Sequence, residues 1–202
     1  MTQPVSVDLL VEDVLSEAAA TRAVAASMSP LVVGVTHGKQ GFGYIKKRIA
    51  AFNRAALGSP YFALTDLDEA PCAPGLIQDW LPETPSPNLL FRVAVREVES
   101  WLLADRDRFA SFIGRPSSQL PPDADAEPDP KAKIISLARR SSKRRIREGV
   151  PPRPGTSARI GPAYNDILTE FVYAQWKPRE AVNRSDSLKR CIAALDSFAL
   201  TT

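Results

Sequence analysis

Apolar and polar positions switch between two periods along the first half of the chain. Residues 5 to 11, VSVDLLV, alternate and then run apolar, which predicts a first strand ending at Glu12. The Ala-rich LSEAAATRAVAASM that follows has few breakers and reads as a helix with Ser16 as its cap. LVVGVTHG at 31–38 is β-branched and closes on glycine, giving a second strand, and GKQGFG is a flexible turn. In YIKKRIAAFNRAAL, Ile45, Ile49, Phe52 and Ala56 recur at helical spacing. Tyr61 to Thr65, apolar or β-prone throughout, form a third strand, and NLLFRVAV at 88–95 a fourth, with the short proline-flanked helix APGLIQDWL between them. The fourth strand runs into REVESWLLADRDRFASFIG, where Val98, Trp101, Leu102, Phe109, Phe112 and Ile113 fall on one face of a single helix. Strands alternating with helices of this length predict an α/β fold, with a mainly parallel central sheet covered by helices on both faces.

Past residue 114 the pattern weakens. RPSSQLPPDADAEPDP is proline-rich and polar, and the basic KAKIISLARRSSKRRIREGV is helical only at its start, through Ile134, Leu137 and Ala138. Its apolar stripe then fades, so the segment is expected on the surface, ordering on a partner. Two closing helices follow, AYNDILTEFVYAQW and SLKRCIAALDSF, which read as cover for the sheet or as the interface of a homodimer. The organisation predicted is an α/β core over 1–114, an acidic and then basic loop region over 115–160, and a C-terminal helical pair over 161–202.

Composition narrows the classes. With 202 residues, 44% hydrophobic and 24% charged, the chain can bury a real core. No apolar run approaches the roughly 20 residues of a membrane helix, and MTQPVSVDLL lacks the order of a signal peptide, so no membrane partner is expected. Cys72 and Cys191 form neither a disulfide framework nor a zinc motif, which points to a reducing cytoplasm. A Ser-His-Asp or Cys-His mechanism would have to run through the single histidine, His37, and no nucleophile motif stands beside it. GKQGFG lacks the lysine-hydroxyl ending of a P-loop and the spacing of a dinucleotide fingerprint.

The net charge of +3 is unevenly spread. From Lys131 to Arg159 there are ten Lys or Arg residues against one acid, Glu148, preceded by the acidic Asp123, Asp125, Glu127 and Asp129. The two runs either neutralise each other in solvent or present a phosphate-binding surface carried by Arg139, Arg140, Lys143, Arg144, Arg145 and Arg147.

YFALTDLDE sets the main chemical question, because an apolar strand ends there in Asp66 and Asp68, and strand alternation puts both carboxylates on one side at its carboxyl end. In parallel sheets, sites form beyond the carboxyl ends of the strands, and that rule puts Glu12 on the same edge. Glu97 and Glu99 open the helix after the fourth strand on that edge too, although the helix dipole alone would favour acids there. A structural alternative makes Asp66 and Asp68 turn residues capping the next helix.

An apolar strand ending in glutamate (LLVED), further strand-helix units, and a strand ending in Asp-x-Asp (ALTDLD) resemble the TOPRIM pattern of topoisomerases, primases, recombination proteins and nucleases of the overcoming-lysogenization-defect type. Within it the chain resembles a bacterial family of stand-alone TOPRIM-like proteins, through REVESWLLAD, DPK at 129–131, RIGPAYNDILTEFV, WKPREA and SLKRC. The resemblance implies that Glu12, Asp66 and Asp68 hold Mg²⁺ or Mn²⁺, with Glu97 or Glu99 as a further acid. It implies a metal-dependent nuclease acting on DNA or RNA, alongside a separately encoded ATPase. Asp13 stands where the pattern usually has glycine, and would crowd a phosphate or add a ligand. That departure supports an alternative, a non-catalytic nucleic-acid-binding or regulatory subunit. Hard oxygen donors suit Mg²⁺ independently of the resemblance, and Glu12, as one of several clustered acids, is a candidate general base.

Overall fold

The computed structural model describes residues 3–200. Its first half is β1 (Val5–Val11), α1 (Val14–Ala26), β2 (Leu31–Gly38), α2 (Phe42–Ala55), β3 (Tyr61–Asp66), α3 (Ala73–Trp80) and β4 (Leu89–Ala94). The strands form one sheet in the order β2-β1-β3-β4, every neighbouring pair parallel. The α/β class expected from the alternating pattern is therefore the class observed.

Burial explains the runs of apolar residues. Odd positions of β1 (Val7, Leu9, Val11) join Phe62, Leu64, Leu90 and Ala94 in a large core under α1, while Leu10, Ala63, Phe91 and Val93 face a smaller core with Ile45, Ile49 and Leu76 of α2 and α3. A strand covered on both sides has no polar face to display. At the outer strand β2 the pairing with β1 slips between Val7 and Leu9. Gly34 sits at this irregularity because a Cβ there would collide with the Asp8 carboxylate and the Ser6 hydroxyl.

The helix ends differ from expectation in informative ways. Asp13, not Ser16, is the N-cap of α1: its Oδ1 accepts from the Ser16 N–H at 2.8 Å and from the Ser16 hydroxyl at 2.9 Å. Asp13 thus has a structural role, satisfying a helix terminus. The single helix expected after β4 is two, α4 (Val98–Ala104) and α5 (Arg106–Ile113), broken at Asp105. Asp105 accepts from the Lys177 N–H at 2.9 Å and from Arg108 at 3.0 Å, bonds that tie the break to the C-terminal part.

The largest departure lies in 115–160, expected as a loop region. It contains α6 (Pro130–Arg139) and α7 (Arg144–Gly149), and Ile134, Leu137, Ala138, Ile146 and Val150 join the large core. Asp129 caps α6 by accepting from the Ala132 N–H at 2.7 Å, and Pro130 occupies its first turn. The short apolar stripe was enough because the neighbouring helices supply the rest of the cover. α8 (Tyr164–Ala174), α9 (Pro178–Ala181) and α10 (Asp186–Asp196) complete that layer, with Trp101 and Trp176 fully buried within it. The C-terminal helices are cover for the sheet, one of the two roles foreseen for them. No described helix is long and apolar enough to cross a membrane.

Candidate active site

The connection from β1 to β2 runs one way across the sheet, and that from β2 to β3 runs back over β1 to its other side. The crevice where the direction reverses lies beyond the carboxyl ends of β1 and β3, the usual ligand position of an open parallel sheet. Glu12 follows β1 directly and Asp66 is the last residue of β3.

These two acids are in contact through hydrogen bonds. Glu12 Oε1 accepts from the Thr65 hydroxyl and from the Asp66 backbone N–H, the latter at 2.9 Å. Asp66 Oδ1 accepts in turn from the Val98 N–H at 2.9 Å, at the N-terminus of α4. Asp66 therefore does cap a helix, though the one after β4 and not the one after its own strand. Asp68 departs from strand alternation, since β3 ends two residues earlier and the Asp68 backbone is left-handed at φ 48°. Aspartate tolerates that conformation better than most residues. The turn is held by Arg96, whose Nη1 donates to the carbonyls of Asp68 at 3.0 Å and Ala70 at 2.8 Å.

The two glutamates at the start of α4 are arranged differently from each other. Glu97, the N-cap residue, reaches across to α6, accepting from the Lys131 N–H at 3.0 Å and from Lys131 Nζ at 2.9 Å. Glu99 is buried and accepts from the Tyr164 hydroxyl at 2.9 Å, with Lys131 Nζ 3.7 Å away. A cleft of about 900 Å³ opens over this edge, lined by Asp66, Asp68 and Glu97 together with Asp129, Lys46, Arg96, Arg159, Phe42 and Trp80. Glu12 and Glu99 are not among its lining residues.

Glu12, Asp66, Asp68 and Glu99 carry raised pKa values. For Glu12 burial is the main cause, opposed by its bonds from Thr65 and Asp66 and reinforced by Asp68 and Asp13. Burial, then repulsion from Glu99 and Glu12, holds Asp66 well above the usual carboxylate range. Asp68 is raised by burial and then by Glu97, and burial pushes Glu99 up to about 7 against the attraction of Lys131. Burial disfavours the Lys131 ammonium, but Glu99, Glu97 and Asp66 outweigh it and the pKa of this group goes up. The centre is thus an excess of carboxylates around one ammonium group, a state that a further cation would relieve.

Among the described residues, no group of three or more His, Cys, Asp or Glu side chains stands in an arrangement that could hold a metal ion. The trio Glu12, Asp66 and Asp68 shares the edge without closing on a single point. In donor chemistry the set fits a hard divalent cation, and Mg²⁺ is commonly held by one or two carboxylates, with waters and substrate phosphates completing its shell. Asp66 and Asp68 both line the cleft.

The six basic residues singled out in the sequence are placed elsewhere. None lines the cleft. Lys143 Nζ donates to the carbonyls of Ser111 and Phe112 at 2.8 and 2.9 Å, closing the end of α5, and Arg147 donates to the Ser141 carbonyl at 2.8 Å. Arg144 pairs with Glu148 at 2.7 Å and Arg145 with Glu170 at 2.6 Å. Arg139 and Arg140 are exposed at the end of α6 remote from Lys131. The cleft's own cations, Lys46, Arg96 and Arg159, come from three separate segments; Arg159 closes the basic run that begins at Lys131, but none of the three was singled out in the sequence. Lys131 and Tyr164 were visible only within motifs of the resemblance. His37 lies on β2 with its ring 5.2 Å from Phe52 and its Nε2 3.7 Å from the Asp8 carboxylate, outside the cleft. No family model, no curated protein and no solved structure matches the chain.

Proposed function

We propose that this protein is a divalent-cation-dependent phosphodiester hydrolase acting on nucleic acid, with its centre at the sheet edge formed by Glu12, Asp66 and Asp68. The observation that carries the reading is the concentration of carboxylates at the switch point of a parallel sheet, with raised pKa values that the nearby Lys131 only partly opposes. Holding like charges together costs free energy, and that cost is the mark of a site kept for chemistry. The TOPRIM resemblance of LLVED and ALTDLD points the same way.

In this reading Asp66 and Asp68 hold Mg²⁺ or Mn²⁺ from the cleft wall. When bound, the ion supplies charge stabilisation on the phosphate and a water acidified for attack. Glu12, kept in one orientation by Thr65 and the Asp66 N–H, accepts a proton at its remaining oxygen. Lys131 keeps Glu97 and Glu99 from adding their full charge to the centre. Arg96 fixes the Asp68 turn, so that carboxylate approaches the cleft from a set direction.

A second reading, a nucleic-acid-binding or regulatory subunit without turnover, is favoured by the engagement of Glu12 and Asp66 in backbone bonds that any fold of this shape would need. One experiment separates the two. Purified protein is assayed for Mg²⁺- or Mn²⁺-dependent cleavage of single- and double-stranded DNA and RNA, with Asp66→Ala as control and calorimetric titration of the metal in parallel. Cleavage abolished by the substitution supports the hydrolase; metal binding without cleavage supports the subunit, for which a separately encoded ATPase is the partner to test. Absence of both sinks the hydrolase.

A further inference from the structure

The wall of the cleft opposite the carboxylates is aromatic. Phe42, the first residue of α2, is 54% exposed, and its ring lies 6.4 Å from that of Trp80 at an interplanar angle of 27°. Trp80 is backed in turn by Phe91 of β4 at 6.2 Å. The three rings form a ladder from the sheet to the surface, so the outermost is an exposed phenyl on a rigid support. Cations flank it: Lys46 Nζ lies 5.9 Å from the centre of the Trp80 ring and is held there by Asp79 at 2.9 Å. Arg159 lines the same cleft, exposed and without a side-chain partner among the described residues. A flat apolar platform with positive charge beside it matches the chemistry of a nucleobase joined to a phosphate.

We infer that Phe42, supported by Trp80, is a stacking platform for an unpaired base of single-stranded nucleic acid, with Lys46 and Arg159 on its backbone. This rests on the proposed action on nucleic acid and adds a choice of strand state. A base within a duplex keeps its faces stacked on its neighbours and has none to offer the phenyl ring, whereas a single strand presents one at little cost. The adjoining phosphate would then lie over Asp66 and Asp68.

Binding in chelator, in an Asp66→Asn, Asp68→Asn background, tests this without turnover and with two negative charges removed from the cleft. The probes are a short single strand of mixed sequence, as DNA and as RNA, and the same sequence closed into a blunt duplex hairpin. Trp101 and Trp176 are fully buried, so quenching of tryptophan emission on binding reports Trp80. The single strand is expected to bind and quench, the hairpin to bind at least about tenfold more weakly, and Phe42→Ala to lose about tenfold for the single strand alone. Phe42→Tyr, which keeps the ring, should restore that affinity, and Arg159→Ala should reduce the slope of log Kd against log salt by ~0.7. Equal affinity for strand and hairpin, no binding of either, or single-strand affinity unchanged in Phe42→Ala would overturn the inference. Phe42-dependent binding with no cleavage by the unsubstituted protein in Mg²⁺ would sink the hydrolase reading and leave the platform standing.

Discussion

The carboxylate edge and the basic segment at 139–147 are both dense in charge, yet the fold treats them oppositely. The acids are dispersed along the chain, from Glu12 to Glu99, and the sheet gathers them where burial and mutual repulsion raise their pKa values. The basic residues lie close together in sequence and end up apart: Lys143 and Arg147 donate to carbonyls, Arg144 and Arg145 pair with surface acids, and Arg139 and Arg140 stand exposed at the end of α6. α6 itself separates the two regions, because Lys131 sits in its first turn and Arg139 is its last residue, roughly 12 Å further along the axis. Density along a sequence therefore said little about where charge would do work. Density created by topology, at the price of desolvation, said more.

The contrast can be broken first at Asp66. Replacement by Asn keeps an acceptor for the Val98 N–H and is expected to leave the fold intact while lowering Mg²⁺-dependent cleavage at least about a hundredfold. Unchanged cleavage would mean that the edge is not the centre.

Glu99 comes next, through pH. Its carboxyl rises from an ordinary 4.5 to about 7, so the folded state keeps a proton that the unfolded chain releases. The resulting stabilisation is fully present below pH 4.5 and is lost as pH rises through about 7. Urea unfolding in chelator should show a decline across that window to which Glu99 contributes on the order of 3 kcal/mol, and Glu99→Gln should remove that share while the raised Glu12, Asp66 and Asp68 keep theirs.

Lys131→Met would leave Glu97 and Glu99 facing each other without their cation. About 2 kcal/mol of stability should be lost at neutral pH, a reduced figure because the lysine side chain is 34% exposed. Pairing the substitution with Glu99→Gln should recover part of it in the same unfolding measurement. Asp13→Ala removes the cap of α1 and should cost about 1 kcal/mol, with cleavage unchanged if Asp13 is structural only. At the small end, Arg145→Ala, which breaks an exposed pair with Glu170, should leave both the unfolding midpoint and cleavage within the scatter of repeated measurements. A large drop in cleavage there would restore the basic segment as a substrate surface.

Much of this could be read from the sequence where a local rule had no competitor. The four strands and the α/β class followed from apolar runs too short for helices, and Glu12 and Asp66 followed from where those runs end. Misreadings arose where a distant partner decided the outcome. Asp105 sits at the break in the helix after β4, where its side chain accepts from the Lys177 N–H, a partner 72 residues away that no local pattern could suggest. α7 looked too polar to bury anything, but Ile146 and Val150 need supply only one edge of a core whose other sides come from α6 and α8. Ser16 had the chemistry of a cap, and Asp13, three residues earlier, took the position, because the strand ends at Val11 and the first turn starts at once. The cleft's own cations escaped notice because only the tertiary fold brings Lys46 of α2, Arg96 after β4 and Arg159 to one cleft.

α1 packs its alanine face against α8 and α10, and its trailing turn is pinned from the far end of the chain, with the Met28 N–H on Asp196 at 2.7 Å and Arg179 on the Ala26 carbonyl at 2.6 Å. During synthesis the first helix thus leaves the ribosome long before the helices that cover it. Its small-residue surface has to wait, open, while most of the polypeptide is still being made, so the large core closes over α1 only once α8 and α10 have emerged.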